Sequence, residues 1–158
     1  WLRENPKLFR PDSIDYIHDP ARIGKLSRVI SINGGVQVDL MGQENAESAN
    51  GMQLSGIGGQ MDFLEGAFRS EGGCGYICIN SSRLTKDGVR KSNILPFIPG
   101  GSTVSAPRTL IEAVATEYGI AHLAGKSLAE RREAMIAIAH PDFRDALRNE
   151  KPDLSLFL

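Results

Sequence analysis

Ser55-Gly56-Ile57-Gly58-Gly59-Gln60-Met61-Asp62 is the stretch whose reading organises this chain. Its glycines, Gly56, Gly58 and Gly59, follow the apolar Met52 and Leu54. Met61, Phe63, Leu64, Ala67 and Phe68 then recur at helical spacing. Glycine admits backbone angles that side chains forbid. A helix start leaves backbone N–H groups unpaired, so a glycine turn there lets a ligand approach bare donors. Such donors suit a phosphate, or an oxyanion that forms during a reaction. As a bare pattern, Gly-x-Gly-Gly also reads as a plain tight turn.

Upstream, residues 28–32 (Arg-Val-Ile-Ser-Ile) read as a strand closed by Asn33-Gly34-Gly35. Val36, Val38 and Leu40 alternate with Gln37, Asp39 and Met41, which predicts a second strand with one drier face. Residues 42–48 are small and polar and read as a loop beside a site. Downstream, the helix is expected to end near Ser70-Glu71-Gly72-Gly73, and residues 74–79 (Cys-Gly-Tyr-Ile-Cys-Ile) read as a buried strand. Residues 80–93 carry Arg83, Lys86, Arg90 and Lys91, as either a solvated loop or a cationic rim for an anionic ligand. Residues 94–98 form a strand whose Pro96 suits an edge. Strand character returns at 103–105 and 110–116, and from Gly119 the pattern reads as helical. Ser127-Leu128-Ala129-Glu130 fits a capping box, and Pro141 opens a further helix with Phe143, Ala146 and Leu147 on one face. Strands interleaved with helices indicate an α/β domain with a mixed, mostly parallel sheet.

Residues 1–27 hold Trp1, Leu2, Leu8 and Phe9, interrupted by Pro6 and Pro11. A short strand is expected at 13–17 and a short helix from Asp19-Pro20, with Asp as the cap. This segment reads as a linker from a missing N-terminal domain, or as a local strap over the core. Residues 28–150 then form the domain, and 151–158 an apolar tail. Apolar ends predict self-association of the isolated chain.

The chain of 158 residues, 41% hydrophobic and 23% charged, is sized for one domain with a real core. Its net charge of −1 argues against general nucleic-acid binding, and the basic residues at 83–91 have no interleaved aromatics for stacking. No apolar run approaches a membrane span, and Trp1-Leu2-Arg3-Glu4-Asn5-Pro6 has no signal-peptide layout. Cys74 and Cys78, four apart on a strand, place their Cα atoms roughly 13 Å apart, beyond disulfide reach. Buried free thiols in a reducing, cytoplasmic compartment follow. His18, His122 and His140 are isolated in sequence, so no metal site is expected. Gly119-Ile120-Ala121-His122-Leu123-Ala124-Gly125-Lys126-Ser127 imitates a phosphate-binding loop, but one residue too many separates its glycines.

Further motifs follow in order: Ser31-Ile32-Asn33, Val38-Asp39-Leu40-Met41-Gly42-Gln43, the glycine turn, Ser92-Asn93-Ile94-Leu95-Pro96 and Pro107-Arg108. Thr116-Glu117-Tyr118-Gly119, Gly125-Lys126-Ser127-Leu128, Glu130-Arg131 and Ala139-His140-Pro141-Asp142-Phe143-Arg144 complete them. Together they resemble the C-terminal domain of the acetyl-CoA hydrolase/transferase family, which includes 4-hydroxybutyrate and butyrate–acetate CoA-transferases. The resemblance covers roughly residues 10 to 148.

The resemblance implies a CoA-transferase-like open, mostly parallel sheet flanked by helices, with an active site shared between two domains. It also implies covalent catalysis by a glutamate that attacks an acyl-CoA thioester and becomes a glutamyl-CoA thioester. That nucleophile is expected outside this chain, leaving the chain alone inactive. Coenzyme A or acyl-CoA is then substrate, with no permanently bound cofactor. The partners are a small carboxylate, the N-terminal domain and further copies in a homo-oligomer. By resemblance Asn33 orients the thioester or nucleophile, Gly59 supplies an oxyanion N–H, and Glu117 is a second, positioning carboxylate. Gly56, Gly58, Gly59 and Gln60 line the CoA pocket by the same resemblance. Each has a structural alternative: Asn33 as a turn closer, Gly58 as a packing glycine, Glu117 as an ion-pair partner of Arg108 or Lys126.

The chain departs from the family pattern at Gln37, where a Glu is usual, and at Thr109-Leu110, where a small or acidic pair is usual. The readings left open are CoA transfer, acyl-CoA hydrolysis, and a non-catalytic CoA-binding or assembly lobe.

Overall fold

The computed structural model describes residues 1–49 and 51–150, and the apolar tail at 151–158 lies outside them. After two 3-10 turns, Leu2–Glu4 and Pro6–Leu8, come the short helices α1 (Ile14–Ile17) and α2 (Pro20–Ile23). α1 stands where a strand was expected. Ile14 and Ile17 are three apart, which suits a helical turn as well as an extended run, and the Ile17 N–H closes on the Ser13 carbonyl at 3.0 Å. α2 begins as expected: the Asp19 side chain accepts from the Ala21 N–H at 2.9 Å, with Pro20 next to it.

Strands β1 (Ile30–Gly34), β2 (Gln37–Asp39), β3 (Glu44–Asn45), β4 (Ser48–Ala49) and β5 (Met52–Gln53) precede the helix α3 (Gln60–Arg69). Then come β6 (Cys74–Cys78), the hairpin β7 (Ser82–Leu84) and β8 (Arg90–Ser92), β9 (Ile94–Leu95), β10 (Ala113–Thr116) and β11 (Gly119–His122). Helices α4 (Leu128–Ala137) and α5 (Pro141–Asn149) close the order.

The main sheet runs β1-β6-β10-β11, with β1 and β10 parallel to the central β6 and β11 antiparallel at the edge. A smaller sheet, β3-β2-β9, packs against it through a shared core. Ile77 of β6, Val114 of β10, Leu64 of α3, Val38 of β2, Ile94 of β9 and Met135 of α4 are all fully buried there. The opposite face of the main sheet is open. Ile30, Ile32 and Ile120 are 52%, 69% and 53% exposed on it. Cys74 and Cys78 belong to that face, so both thiols are free but only half-buried, where fuller burial was expected.

Several local readings change for tertiary reasons. β2 has no wet face, because it is the middle strand of its sheet and all three residues are buried. Gln37 is accommodated by Asn45, whose Nδ2 donates to Gln37 Oε1 at 3.2 Å and to the Ser48 carbonyl at 2.7 Å. The polar segment after Gly42 is not a free loop, since it supplies β3 and β4. Asp39 folds that corner, accepting from the Met41 and Gln43 N–H groups at 2.9 Å each and from Gln43 Nε2 at 2.7 Å. Residues 103–105 join no ladder; the Ser105 N–H donates to the Glu44 carbonyl at 2.7 Å.

The largest difference lies at Gly119–His122, a strand and not the start of a helix. Glu117 and Tyr118 form a two-residue connection, and Gly119 takes φ +136°, an angle glycine permits. The capping box is present as read: Ser127 Oγ accepts from the Glu130 N–H while the Glu130 carboxylate accepts from the Ser127 N–H at 2.8 Å.

Candidate functional site

Parallel strands place their carboxyl ends on one edge of a sheet, the edge where ligands of open α/β folds bind. Here that edge collects the ends of β1, β6 and β10. Between them lies a cleft of about 410 Å³ lined by Gly35, Cys78, Ile79, Asn80, Ala115 and Thr116. α3 returns to the start of β6, so its N-terminus, with Gly58 and Gly59, belongs to the same edge.

Asn33 is the penultimate residue of β1, half-buried, and its Nδ2 donates to Ser31 Oγ at 2.8 Å. In register it stands level with Ile77 of β6 and Val114 of β10. Glu117 lies three residues beyond Val114. Two strand spacings and that offset put the Cα atoms of Asn33 and Glu117 on the order of 14 Å apart. The two residues therefore flank the cleft and do not touch across it.

Glu117 is exposed on the turn, but its carboxylate is held. Ser81 donates to it twice, from the backbone N–H to Oε2 at 2.9 Å and from Oγ to Oε1 at 2.6 Å. Desolvation pushes its acidity the other way, yet the Ser81 hydrogen bonds outweigh it, with help from nearby His140, and hold the carboxyl below the ordinary range. Its partner is thus Ser81, where the sequence left open Arg108 or Lys126. Ser81 is fixed in turn, since its carbonyl accepts from the Asn93 N–H at 2.9 Å and Asn93 is clamped by Arg83. The basic hairpin hence carries a structural job, at least through Arg83.

The glycine turn enters α3 without any side-chain cap. Gly58 has φ +59°, so glycine is required there by backbone strain alone. Gly59 is required for a different reason: the His18 imidazole rests where its Cβ would be. Gly56 has open space around it and no such angle. His18 had looked isolated in sequence. It lies 3.4 Å from Asp62 Oδ2 through Nδ1 and meets the Phe63 ring edge-on, 5.0 Å between centroids.

Gln60, the first residue of α3, is buried and donates through Nε2 to Glu44 Oε2 at 2.8 Å. Glu44 is completely buried. Burial pushes its carboxyl up to about 7, against the Gln60 hydrogen bond and with the neighbouring Glu47 charge. Nothing in the sequence singles out Glu44 from the polar run around it. Ser81 was equally silent, because its role depends on the residue before β7 meeting the β10–β11 turn in space.

Residues 1–151 match the family model described as the acetyl-CoA hydrolase/transferase C-terminal domain. The 4-hydroxybutyrate coenzyme A transferase of Clostridium kluyveri is 47% identical over 150 residues, which is 95% of this chain and 34% of that protein. The butyryl-CoA:acetate CoA-transferase of Anaerostipes caccae is 44% identical over 147 residues, 93% of this chain and 33% of that protein. The crystal structure of 4-hydroxybutyrate CoA-transferase from Porphyromonas gingivalis superposes with a TM-score of 0.66 at 42% identity, covering 85% of this chain and 29% of that one. The chain thus spans about a third of the length of the curated relatives it matches. On this footing, with a parallel-strand edge and an uncapped glycine turn in the expected places, the chain belongs to the acetyl-CoA hydrolase/transferase C-terminal domain family.

Proposed function

We propose that this domain is the CoA- and acceptor-binding part of a CoA-transferase, which moves CoA between an acyl-CoA and a carboxylic acid. The nucleophile is a glutamate outside these residues. Its carboxylate attacks the thioester carbonyl; the tetrahedral oxyanion collapses, CoA thiolate leaves, and an acyl-glutamyl anhydride remains. CoA thiolate then attacks the glutamyl carbonyl, releasing the first acid and forming the glutamyl-CoA thioester. An acceptor carboxylate repeats the sequence in reverse, and the nucleophile is regenerated.

In this reading the bare N–H groups of the Gly58–Gly59 turn stabilise each oxyanion. Asn33 orients the thioester through its amide. Glu117, its carboxylate held by Ser81, positions the acceptor or polarises water, and Gln60 lines the pocket with Gly56. The observation that carries the reading is the uncapped α3 N-terminus on the same sheet edge as the cleft between β1, β6 and β10. The open apolar face with Ile30 and Ile32 suits cover by the remainder of the protein or by another copy, and the site is then completed between domains.

Hydrolysis is the second reading, supported by the family's own description. It differs only in water, in place of a carboxylate, reaching the glutamyl-CoA thioester. The test is acyl-CoA/acetate exchange by the whole protein, with borohydride trapping of the glutamyl-CoA thioester. Exchange with a trapped upstream glutamate supports transfer. Thioester loss without exchange indicates hydrolysis, and CoA binding with neither leaves a non-catalytic lobe.

A further inference from the structure

Several observations meet at Glu44, a residue that the proposed chemistry does not use. Its side chain is fully buried within the polar stretch Gln43-Glu44-Asn45. Oε2 accepts from Gln60 Nε2 at the first turn of α3, 2.8 Å away. Oε1 has no hydrogen-bond partner. That oxygen is pressed toward Gly35, where a Cβ would stand 2.8 Å from Oε1, 3.0 Å from Ile79 Cγ2 and 3.1 Å from Ile77 Cγ2. A buried carboxyl oxygen left unpaired is expensive to keep.

The two elements it spans are those of the site. Gln60 directly follows Gly58 and Gly59, and Gly35 lies two residues past Asn33 and lines the cleft. The backbone of Glu44 is itself anchored, donating to the Ala106 carbonyl at 3.0 Å and accepting from the Ser105 N–H at 2.7 Å. A fixed backbone therefore carries a side chain that sets the gap between a helix start and a strand exit. Resting on the site reading above, we infer that Glu44 is a positioning residue: its carboxyl holds the Gly58–Gly59 turn and the Gly35 exit of β1 at the spacing the reacting thioester needs. Gly35 is kept small so that the carboxyl fits.

The groups facing Glu44 are few. They are the neutral Gln60 amide from α3, the Gly35 backbone and the Glu47 carboxylate from its own segment. Among the described residues no cation pairs with it. Its neutral form is tolerated in that setting, whereas its ionised form leaves charge on a buried Oε1 that no donor reaches. Ionisation thus drives the two elements apart or draws water between them, and the site loosens as pH rises through about 7.

The test compares the whole wild-type protein with Glu44→Gln, Glu44→Ala and Gln60→Ala. Glu44→Gln keeps shape but cannot ionise. It is expected to remove the change in kcat centred near pH 7, with KM for acyl-CoA within about twofold. Glu44→Ala and Gln60→Ala are each expected to lower kcat about tenfold or more, and the double variant no further, because the pair acts as one unit. Hydrogen–deuterium exchange supplies a readout independent of activity: in Glu44→Ala, peptides spanning 55–64 and 33–37 exchange faster while β10 does not. A wild-type pH profile in Glu44→Gln, or unchanged exchange in a folded Glu44→Ala, overturns the assignment. If the wild type shows no acyl-CoA chemistry, the functional reading fails separately. Deuterium exchange then decides Glu44: loosened peptides support the positioning role and protected ones overturn it.

Discussion

Gln60 and Glu44, sixteen residues apart in sequence, share a buried hydrogen bond of 2.8 Å that ties the start of α3 to β3. This bond joins the glycine turn to the strand exit at Gly35, and it leaves a carboxyl inside the protein whose charge state matters for stability.

The pH dependence of stability follows with a definite sign. The Glu44 carboxyl rises from its ordinary 4.5 to about 7 on folding, so between those values the native state holds a proton that the unfolded chain has released. Its stabilising contribution is complete below about 4.5 and is lost as pH rises through 7. At 1.36 kcal/mol per pH unit the loss is of the order of 3 kcal/mol. Denaturant titrations from pH 5 to 8 should show it in the wild type, and Glu44→Gln should flatten the curve. An equally steep curve in the variant would assign the loss to another group.

Glu117 should behave in the opposite sense. Its carboxyl is held down, so its contribution is present above the unfolded value and disappears as pH falls through the depressed one. Ser81→Ala removes the Oγ hydrogen bond and leaves the backbone one, and should move the acid limb of acyl-CoA exchange to higher pH. Glu117→Gln should lower kcat/KM by about tenfold to a hundredfold without unfolding the protein. Identical acid limbs in wild type and Ser81→Ala would rule out Glu117 as the group titrating there.

The three glycines of the turn should separate cleanly on alanine substitution. Gly56→Ala meets open space and should change stability by less than about 0.5 kcal/mol. Gly58→Ala forces a side chain into φ +59° and should cost about 1–2 kcal/mol, with exchange activity falling further than stability. Thermal melts alongside exchange rates distinguish these effects.

Gly59→Ala should collide with the His18 ring and displace the α1–α2 connection. The collision is with a side chain, so His18→Ala in the same protein should restore most of the lost stability. If the double variant melts no higher than Gly59→Ala alone, the clash is not the cause.

Gly66 reports on how the N-terminal segment is attached. Ile23 of α2 is buried against it, and its Cβ would stand 2.6 Å from a Cβ placed there. Gly66→Ala should therefore destabilise the protein despite alanine's better helix propensity, whereas Gly66→Ala with Ile23→Ala should recover part of the loss. Urea midpoints of the single and double variants measure it.

Local chemistry made much of this domain legible from its residues. The glycine turn into α3, the Asp19 cap with Pro20, the Ser127–Glu130 capping box and the β6 strand depend on neighbours within a few positions, and their signals survive in sequence. The ordered series of motifs carried the family as well. Tertiary structure alone decided what depends on distant partners. β11 is a strand because β10 offers it a ladder, although residues 119–122 have no strong strand pattern. β2 is buried on both faces because β3 and β9 flank it. Glu44 is a buried acid because Gln60 and Gly35 close over it, Glu117 has its pKa lowered because Ser81 reaches it, and Gly59 must stay small because His18 packs there. A carboxylate's neighbours set its charge, and no reading of adjacent letters reveals which neighbours folding will bring.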